Sequence, residues 1–356
     1  MKSTLAILML ALLIACASEN TYRFGAVLQL SGPQAFYGNL AKYGIELAVE
    51  DINAQGGING RRVIAIYEDS EGDKTKAVTA AQKLINVDNV DALFTITPQM
   101  AGAVAPIAEE NKVPYIYIGS VDTFAQGKKY VFKDYPSPLL LCEILMKQAE
   151  QDGHERIALF GQNSEVTTLC KEGAEHVKLL AGFELYNQGE TDFRTQFTKI
   201  KEGNHTALFL YALEPDCASA FKQISELGLN VQLYLPVQSF ACGSDKNTEA
   251  NKNLFSNAYG SDILLDEQSA DPVFTSFKER LESRNWKTHI RGSALLYDVV
   301  MEMKKAYTGC ETTDCVADNI RALKMRGVTG NISYNGDQIV EREVMLVRFD
   351  EGWKKA

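Results

Sequence analysis

The stretch AVEDINAQGGINGRRVIAIYED, from Ala48 to Asp69, decides the fold. It begins inside an apolar stripe formed by Ala41, Ile45, Ala48, Val49 and Ile52. That spacing is typical of one buried helix face. Gly56 and Gly57 then fit a helix C-terminus, because glycine enters left-handed backbone conformations without a steric penalty. The segment VIAIY that follows is typical of a strand. The stretch therefore predicts the second half of a β-α-β unit.

The same alternation of strand and helix continues on both sides of this stretch. The apolar segments YRFGAVLQL, DALFTI and VPYIYIG are separated by helical stripes, and the pattern restarts after the connector YVFKDYPSP. Nearly apolar strands that alternate with helices predict parallel sheets covered on both faces. At 356 residues, the chain exceeds the usual size of one hydrophobic core. We therefore expect two α/β lobes.

The last hundred residues are richer in helix. Helices are predicted over 272–284 and 293–307, and a shorter helix is predicted to end near Arg326. Two final strands, GNISYNGD and REVMLVRF, close the chain. Because this tail has more helix than one lobe needs, we expect it to return and cover the first lobe.

The net charge of -10 argues against a nucleic-acid partner, since the phosphates of such a partner require a basic face. It also argues against polybasic docking on a membrane. The four histidines, His154, His176, His205 and His289, lie in polar contexts, and the motifs HExxH, GxSxG and GxxxxGK[ST] are absent from the sequence. The sequence therefore predicts no enzyme, no cofactor and no metal site.

Residues 1–15 have the proportions of an export signal. One lysine precedes an apolar run from Leu5 to Ala15, which is too short to cross a bilayer as a stable helix. The three residues before Cys16 resemble a bacterial lipobox, in which the cysteine is lipidated and becomes the new N-terminus. We expect residues 16–21 to form a tether and membrane contact to occur through the lipid alone. A plain secretory signal or a misassigned start site would give a similar sequence.

The mature chain would retain six cysteines, namely Cys142, Cys170, Cys217, Cys242, Cys310 and Cys315. An even number in an exported chain favours disulfides, although six cysteines allow 15 pairings. Cys310 and Cys315 are close enough in sequence to form the first expected pair. Buried free thiols are the alternative. Metal binding is disfavoured because no second closely spaced pair and no histidine cluster accompany them.

Four segments carry a family resemblance. They are LQLSGPQAFYGNLAKYGIELAVEDINAQGGINGRRVIAIYEDSEGDKTKAVTAAQKLI, APIAEENKVPYI, TDFRTQFTKIK and RGVTGNISYNGD, in that order. Over residues 22–349 the chain resembles the leucine/isoleucine/valine-binding protein family, the type I periplasmic solute-binding proteins of ABC importers. The resemblance implies two doubly wound parallel-sheet lobes joined by three crossover strands. Lobe 1 would comprise 22–135 and 261–329, and lobe 2 would comprise 136–260 and 330–356.

The resemblance also implies a mechanism. A small solute in the cleft would contact both lobes only when they are closed, so that binding shifts a hinge equilibrium. An ABC transporter permease would then recognise the closed form. The protein would be exported and lipid-anchored, in the periplasm or at the outer face of the membrane.

Ligands of parallel sheets bind at the carboxyl ends of strands, where loops lead into helix N-termini. This rule selects the loops SGPQAFYG, TPQMAG, GSVDT and VQSFACGS. Tyr37 occupies the position of a cleft aromatic in the family, or packs against the hinge. Ser120 lies in the loop that binds an α-carboxylate in relatives, with Gly119 allowing close approach of the backbone. A serine that caps the next helix would look the same.

The departures from the family pattern bear on the ligand. Pro98 stands where relatives carry a carboxylate-binding serine, and proline offers neither hydroxyl nor N–H. Thr97 or Gln99 is the expected substitute. The acidic residue that neutralises the ligand's ammonium in relatives appears here as Gln238, which carries no charge. The two tyrosines of the second lobe fall near Val166 and Leu213.

These changes favour a neutral or more apolar solute, such as an amide or a small organic acid, over a simple amino acid. A buried ammonium without a carboxylate partner would be costly. Glu214, Asp216 or Asp122 remains available to supply such a charge. The alternative function is a non-transport receptor, or a lipoprotein that regulates cell-wall enzymes, built on the same fold.

Overall fold

The computed structural model describes residues 21–32, 34–212, 216–236, 249–263, 271–284, 286, 290–334, 336, 338–350 and 353–356. The predicted signal (1–15), Cys16, Leu213, Glu214, Gln238 and Cys242 lie outside these residues. The chain divides into two compact units. Unit 1 comprises the chain up to Ile118, 127–132 and 292–323, and unit 2 comprises 119–126, 133–291 and 324–356. Residues 119–126, 133–135, 261–291 and 324–329, assigned to lobe 1 by the sequence prediction, group with unit 2.

In chain order the described elements are β1 (Tyr22–Leu28), α1 (Ala35–Ala54), β2 (Val63–Asp69), α2 (Lys74–Asn86), β3 (Ala92–Ile96), α3 (Pro98–Glu110), β4 (Tyr115–Ile118), β5 (Val131–Lys133), α4 (Pro138–Gln151), β6 (Ile157–Gln162), α5 (Glu165–Glu175), β7 (Leu180–Tyr186), α6 (Arg194–Glu202), β8 (Ala207–Tyr211), α7 (Asp216–Glu226), β9 (Gln232–Pro236), α8 (Lys252–Phe255), β10 (Tyr259–Ile263), α9 (Pro272–Ser283), α10 (Ile290–Tyr307), α11 (Thr313–Arg321), β11 (Lys324–Gly327), β12 (Gly330–Ser333), β13 (Glu341–Arg342), β14 (Val344–Phe349) and β15 (Trp353–Lys355).

Unit 1 is built on a five-stranded sheet in the order β2-β1-β3-β4-β5. Strand β1 pairs in parallel with β2 on one side and with β3 on the other, and β3 pairs in parallel with β4. The β-α-β unit predicted from the opening stretch is therefore confirmed as β1-α1-β2. Strands β3 and β4 are buried along their whole length, as expected for strands covered on both faces.

The turn between α1 and β2 is fixed by glycine and by one asparagine. Gly57 has a φ of 80°, and a Cβ added there would lie 1.9 Å from the carbonyl oxygen of Arg61. Asn53, near the end of α1, donates to the carbonyl of Val63 and accepts from its N–H, both at 2.8 Å. The helix end therefore holds the first residue of the strand in place.

The C-terminal helices α10 and α11 belong to unit 1, which confirms that the tail returns to the first lobe. Gly44 of α1 allows this packing, because a Cβ there would lie 2.0 Å from the carbonyl oxygen of Ser293 in α10. The Ser293 hydroxyl donates to the carbonyl of Leu40 at 3.0 Å. The predicted helix over 272–284 is present as α9, but it lies in unit 2.

Unit 2 contains a seven-stranded sheet in the order β15-β14-β10-β9-β8-β6-β7. Strands β6 to β10 pair in parallel, whereas β14 pairs antiparallel with β10 and with β15. The predicted α/β fold is confirmed, with antiparallel strands along one edge. The helix predicted to end near Arg326 is wrong in its length: α11 ends at Arg321, and Lys324–Gly327 forms strand β11 of a three-stranded antiparallel sheet with β12 and β13.

Disulfides connect neighbouring elements within each unit. Cys310 and Cys315 are bonded as predicted, with Cα atoms 5.7 Å apart. Cys142 and Cys170 join α4 to α5 with a Cα separation of 5.2 Å, within one apolar cluster of unit 2. Cys217 is also disulfide-bonded. The free-thiol alternative is wrong for these five cysteines. None of the described helices combines the length and apolarity needed to cross a bilayer.

Candidate functional site

The carboxyl ends of β1 and β3 meet at one edge of the unit 1 sheet, where Gln29 joins them. The side chain of Gln29 is fully buried. Its Nε2 donates to Thr97 Oγ1 at 2.8 Å and lies 3.4 Å from the carbonyl oxygen of Ile96. Its Oε1 is also buried and has no hydrogen-bond partner among the described residues. Gln29 therefore fixes the Thr97 hydroxyl, which accepts this bond and keeps its own proton for another partner.

Thr97 holds an unusual backbone conformation at the start of α3. Its φ is 81° and its ψ is 142°, in a region that a β-branched residue rarely adopts. The N–H of Thr97 donates to the carbonyl of Ile118 at 2.9 Å, which ties it to the end of β4. Strained residues of this kind cluster at ligand-binding positions, so this conformation supports a functional role.

The N-terminus of α3 is left open by the same residue. Thr97 occupies the cap position but makes no side-chain capping bond, and Pro98 follows at the first helical position. Pro98 thus starts the helix rather than supplying the hydroxyl found in relatives. The predicted ligand residue Gln99 is exposed in the first turn. Uncapped N–H groups and the helix dipole make this end of α3 suited to an anionic group.

Asp69, at the carboxyl end of β2, holds the loop that leads into α1. It accepts from the N–H of Leu30 at 2.9 Å, the hydroxyl of Ser31 at 2.6 Å and the N–H of Glu71 at 2.8 Å. Partial burial opposes ionisation of Asp69, but these hydrogen bonds outweigh it and hold its pKa below the ordinary 3.8. The Ser31 loop is therefore pinned by a charged carboxylate.

Tyr37 lies in the first turn of α1 in the same unit. It is half-buried, and its ring packs edge-on against that of Phe36, with centroids 5.6 Å apart. The next residue, Gly38, approaches the backbone of Gln29 so closely that an added Cβ would lie 2.0 Å from the Gln29 carbonyl oxygen. The start of α1 is thus pressed against Gln29. A ligand contact of Tyr37 stays a prediction.

The loop after β4 groups with unit 2. Gly119 is buried, and the Ser120 hydroxyl is hydrogen-bonded to the phenol of Tyr211, the last residue of β8. Burial raises the pKa of Tyr211, and the bond with Ser120 offsets this only in part. The alternative in which Ser120 caps a helix is wrong, because the residues between it and β5 form turns. The role of Ser120 as a ligand residue stays a prediction.

The acidic residues proposed as partners of a ligand ammonium already have protein partners in unit 2. Asp122 forms an ion pair with Lys133, whose side chain is fully buried. Burial lowers the pKa of Lys133, and the charge of Asp122 acts in the opposite direction. Asp216 accepts a hydrogen bond of 2.8 Å from the hydroxyl of Tyr186. Val166, near which the resemblance places one of the family's tyrosines, packs against an apolar cluster.

Sequence reasoning missed Gln29, Asp69, Tyr211 and Lys133. The first three share one signal, since each lies at or next to the carboxyl end of a predicted strand. Lys133 lies in the connector YVFKDYPSP, next to Asp134, and no such signal points to it. Within the described residues no cluster of three or more histidine, cysteine or acidic side chains could hold a metal ion.

Comparisons with known proteins agree with this architecture. Residues 21–354 match the sequence family described as "Periplasmic binding protein". A relative in Brucella suis biovar 1 (strain 1330), Leu/Ile/Val-binding protein homolog 7, is 26% identical over 294 residues, covering 78% of this chain and 71% of the relative. A second relative, Leu/Ile/Val-binding protein homolog 8 of Brucella abortus (strain 2308), is 32% identical over 118 residues, covering 32% of this chain and 29% of the relative.

Solved structures share the fold. The branched-chain amino acid transporter substrate-binding protein LivJ from Streptococcus pneumoniae, in complex with isoleucine, superposes with a TM-score of 0.82 at 20% identity and covers 95% of this chain and 100% of its own. A solute-binding protein of an ABC transporter from Rhodopseudomonas palustris HaA2, in complex with p-hydroxybenzoic acid, gives 0.80 at 18% identity, with 94% and 95% covered. The match over nearly the whole chain, together with this fold, shows that the protein belongs to the periplasmic binding protein family.

Proposed function

We propose that this protein is an extracytoplasmic solute-binding protein that delivers a small solute to an ABC transporter permease. Its membership of the periplasmic binding protein family supports this proposal. The observation that carries it is the open N-terminus of α3, where Thr97 is strained and its hydroxyl is positioned by a buried glutamine. The helices α1, α4 and α6 also start without a side-chain cap, so the strained backbone of Thr97 is the feature that sets α3 apart. The two lobes would close on the bound solute.

The solute we propose is a small carboxylate, and an organic acid is favoured over an amino acid. The helix N-terminus and the Thr97 hydroxyl offer hydrogen-bond donors to an anion. The charge of Asp122 is paired with that of Lys133, and Asp216 already accepts a hydrogen bond from Tyr186. Gln238 carries no charge. Both isoleucine and p-hydroxybenzoic acid, bound by two proteins of the same fold, contain a carboxylate.

A thermal-shift panel tests the proposal. Purified protein is heated with isoleucine, p-hydroxybenzoate or benzamide, because a ligand that binds only the folded state raises its melting temperature. At 100 times the dissociation constant the stabilisation is about 2.7 kcal/mol. We expect a carboxylate without an ammonium to give the largest shift, and the compound to be recovered unchanged.

The variant Thr97→Val links this shift to the site. We expect it to reduce the shift at equal ligand concentration, whereas Thr79→Val, at an exposed position of α2, leaves it intact. If no carboxylate, amino acid or amide stabilises the protein, solute capture is wrong and the non-transport receptor reading takes its place. Conversion of the compound to a product would show an enzyme instead.

Lipid anchoring at Cys16 is part of the same proposal. The apolar run that ends at Ala15 and the following cysteine support it. Cells that express the full chain with labelled palmitate are expected to yield a labelled protein in the membrane fraction. The variant Cys16→Ser is expected to lose the label. Release of unlabelled wild-type protein would instead indicate a plain secretory signal.

A further inference from the structure

A cavity opens at the opposite edge of the unit 1 sheet from Thr97. It has a volume of about 510 Å³ and lies at the amino ends of the strands: Tyr22 begins β1, Asp91 precedes β3 and Val113 precedes β4. We call it the amino-edge cavity. Its size falls in the range of pockets for small molecules. The proposed solute site uses the carboxyl ends of the same strands, so the two sites are separate.

The walls of the amino-edge cavity are held by several independent contacts. The rings of Tyr22 and Tyr307 lie 5.0 Å apart, and the guanidinium of Arg61 stacks 3.9 Å from the Tyr22 centroid. Asn59 donates to the carbonyl of Tyr307 at 2.9 Å and accepts from the N–H of Gly309 at 3.1 Å. These bonds make the cavity a preformed feature of the fold.

The loop from Cys310 to Cys315, which the disulfide closes, also lines the cavity. This loop carries Glu311, and its Thr312 caps α11 by accepting from the N–H of Cys315 at 3.2 Å. The positive end of the α11 dipole therefore begins at the cavity. Because the disulfide closes so short a loop, it restricts the positions of Glu311 and of the start of α11 at the cavity.

The cavity contains charges of both signs. The exposed side chains of Lys112 and Glu311 form no ion pair with any described residue. Arg61 stacks on Tyr22, donates a weak bond of 3.4 Å to the carbonyl of Thr21 and lies close enough to Asp91 for the two charges to interact. Asp91 accepts from the N–H of Arg23 through one carboxylate oxygen, at 2.7 Å. The cavity thus combines two cationic groups, two acidic groups and two tyrosine rings. This combination matches a ligand that carries both a positive and a negative charge.

We propose that the amino-edge cavity binds a phosphoethanolamine group. Arg61 and Lys112 contact the phosphate, which also meets the N-terminus of α11. Asp91 and Glu311 contact the ammonium. The tyrosine rings pack against the ethylene carbons and against the cation.

The position of the cavity near the N-terminal end of the described chain favours phosphoethanolamine over other zwitterionic groups. Arg61 contacts Thr21, where the described chain begins, and Cys16 is five residues earlier. Five residues reach at most about 18 Å. With the lipid on Cys16, the cavity would lie at the level of membrane headgroups, where basic pockets recognise lipid phosphates. This step rests on the lipid anchor of the proposed function, whereas the chemistry of the cavity does not.

Calorimetry with a water-soluble probe tests the chemistry. Glycerophosphoethanolamine is expected to bind the purified protein at least tenfold more tightly than glycerophosphoglycerol, which lacks the ammonium. The surface variants Lys112→Ser and Glu311→Gln are each expected to weaken binding fivefold or more. Matched controls at exposed positions of unit 1 outside the cavity, Lys74→Ser and Glu110→Gln, leave it unchanged. Equal affinity for the two probes, or equal affinity of cavity and control variants, overturns the proposal.

A second arm identifies the source of the group. The variant Cys16→Ser, which lacks an anchor, is mixed with vesicles of phosphatidylcholine with or without phosphatidylethanolamine. Sedimentation with the second kind alone assigns the cavity to a lipid headgroup, and binding of the soluble probe without sedimentation assigns it to a free phosphoethanolamine compound. Thr97→Val serves as the separating control, because it is expected to lower solute binding and leave the probe affinity unchanged.

Discussion

Two helices that follow buried parallel strands start in opposite ways. Helix α3 in unit 1 begins at Thr97, which has a left-handed backbone and makes no capping bond. Helix α5 in unit 2 begins at Ser164, whose backbone is extended and whose hydroxyl accepts from the N–H of Thr167 at 3.3 Å. The chain therefore satisfies its polar groups at one strand end and leaves them available at the other.

This difference separates residues that stabilise the fold from residues that bind. A satisfied cap contributes to folding, and the hydroxyl that makes it is occupied. An open cap lowers the stability of the fold and offers N–H groups to an anion. Substitutions in the two classes are therefore expected to move different measurements, either the free energy of unfolding or the affinity for solute.

The largest effect is expected at the buried ion pair between Arg342 and Asp134 in unit 2. Arg342 forms a doubly hydrogen-bonded ion pair with Asp134, with both side chains inaccessible to solvent, and also donates to the Thr329 hydroxyl. Arg342→Met would leave a buried carboxylate without its partner, so we expect a loss of about 3–5 kcal/mol in the free energy of unfolding. Urea denaturation measures it.

The control for that pair is the ion pair between Arg326 and Asp271, in which the arginine side chain is 62% exposed. Arg326→Met is expected to cost less than about 1 kcal/mol, because exposed ion pairs contribute little. Similar losses for the two variants would contradict the view that burial makes the difference.

The next effect concerns the open helix start. Thr97→Gly removes the hydroxyl and also relieves the strain, because glycine tolerates a φ of 81°. We expect solute affinity to fall about tenfold, the equivalent of one hydrogen bond. Relief of the strain raises the free energy of unfolding, whereas loss of the hydroxyl that accepts from the buried Gln29 Nε2 lowers it, so we expect a net change of less than about 1 kcal/mol. A loss of stability without a change in affinity would place Thr97 among the structural caps.

Ser164→Ala makes the reciprocal test at α5. Loss of a serine cap costs about 1 kcal/mol, so the midpoint of urea unfolding should fall accordingly. Solute affinity should not change, because this hydroxyl is already occupied by Thr167. Thr79→Ala on α2 is the matched control, since its hydroxyl bonds only within its own helix, to the carbonyl of Thr75. A drop in affinity for Ser164→Ala would mean that both helix starts bind solute.

The sequence predicted what local spacing encodes. Helix stripes and apolar strands revealed β1-α1-β2, and the short spacing of Cys310 and Cys315 revealed their disulfide. Non-local pairings were missed. The antiparallel addition of β14 beside β10 joins residues more than eighty positions apart, and the strand Lys324–Gly327 exists only through its pairing with β12.

The candidate site divides in the same way. Thr97 was predicted because it stands beside Pro98, where a family hydroxyl was missing. Its positive φ and its bond to Gln29, 68 residues earlier, depend on the folded sheet and have no sequence pattern. Likewise, nothing local indicates that Ser120 is bonded to Tyr211. Roles that depend on residue type were therefore predictable from the sequence. Roles that depend on contacts between residues distant in the sequence were not.

The smallest effect is expected at Asp69 in unit 1, whose carboxylate already has its hydrogen bonds within the protein. The folded pKa of Asp69 lies below its ordinary value of 3.8, because the Ser31 hydroxyl and three N–H groups outweigh the partial burial that opposes ionisation. A depressed pKa contributes stability that is present above pH 3.8 and is lost as the pH falls through the folded value. Asp69 is largely exposed, so solvent screening limits the effect to a few tenths of a kcal/mol. Asp69→Asn should therefore flatten the acid limb of the stability curve below about pH 4.

Urea unfolding between pH 3 and pH 6 measures this, with Asp192→Asn, an exposed carboxylate of unit 2, as the control. An unchanged acid limb would mean that the Ser31 loop holds its conformation without the charge of Asp69, and that this carboxylate does not contribute to stability.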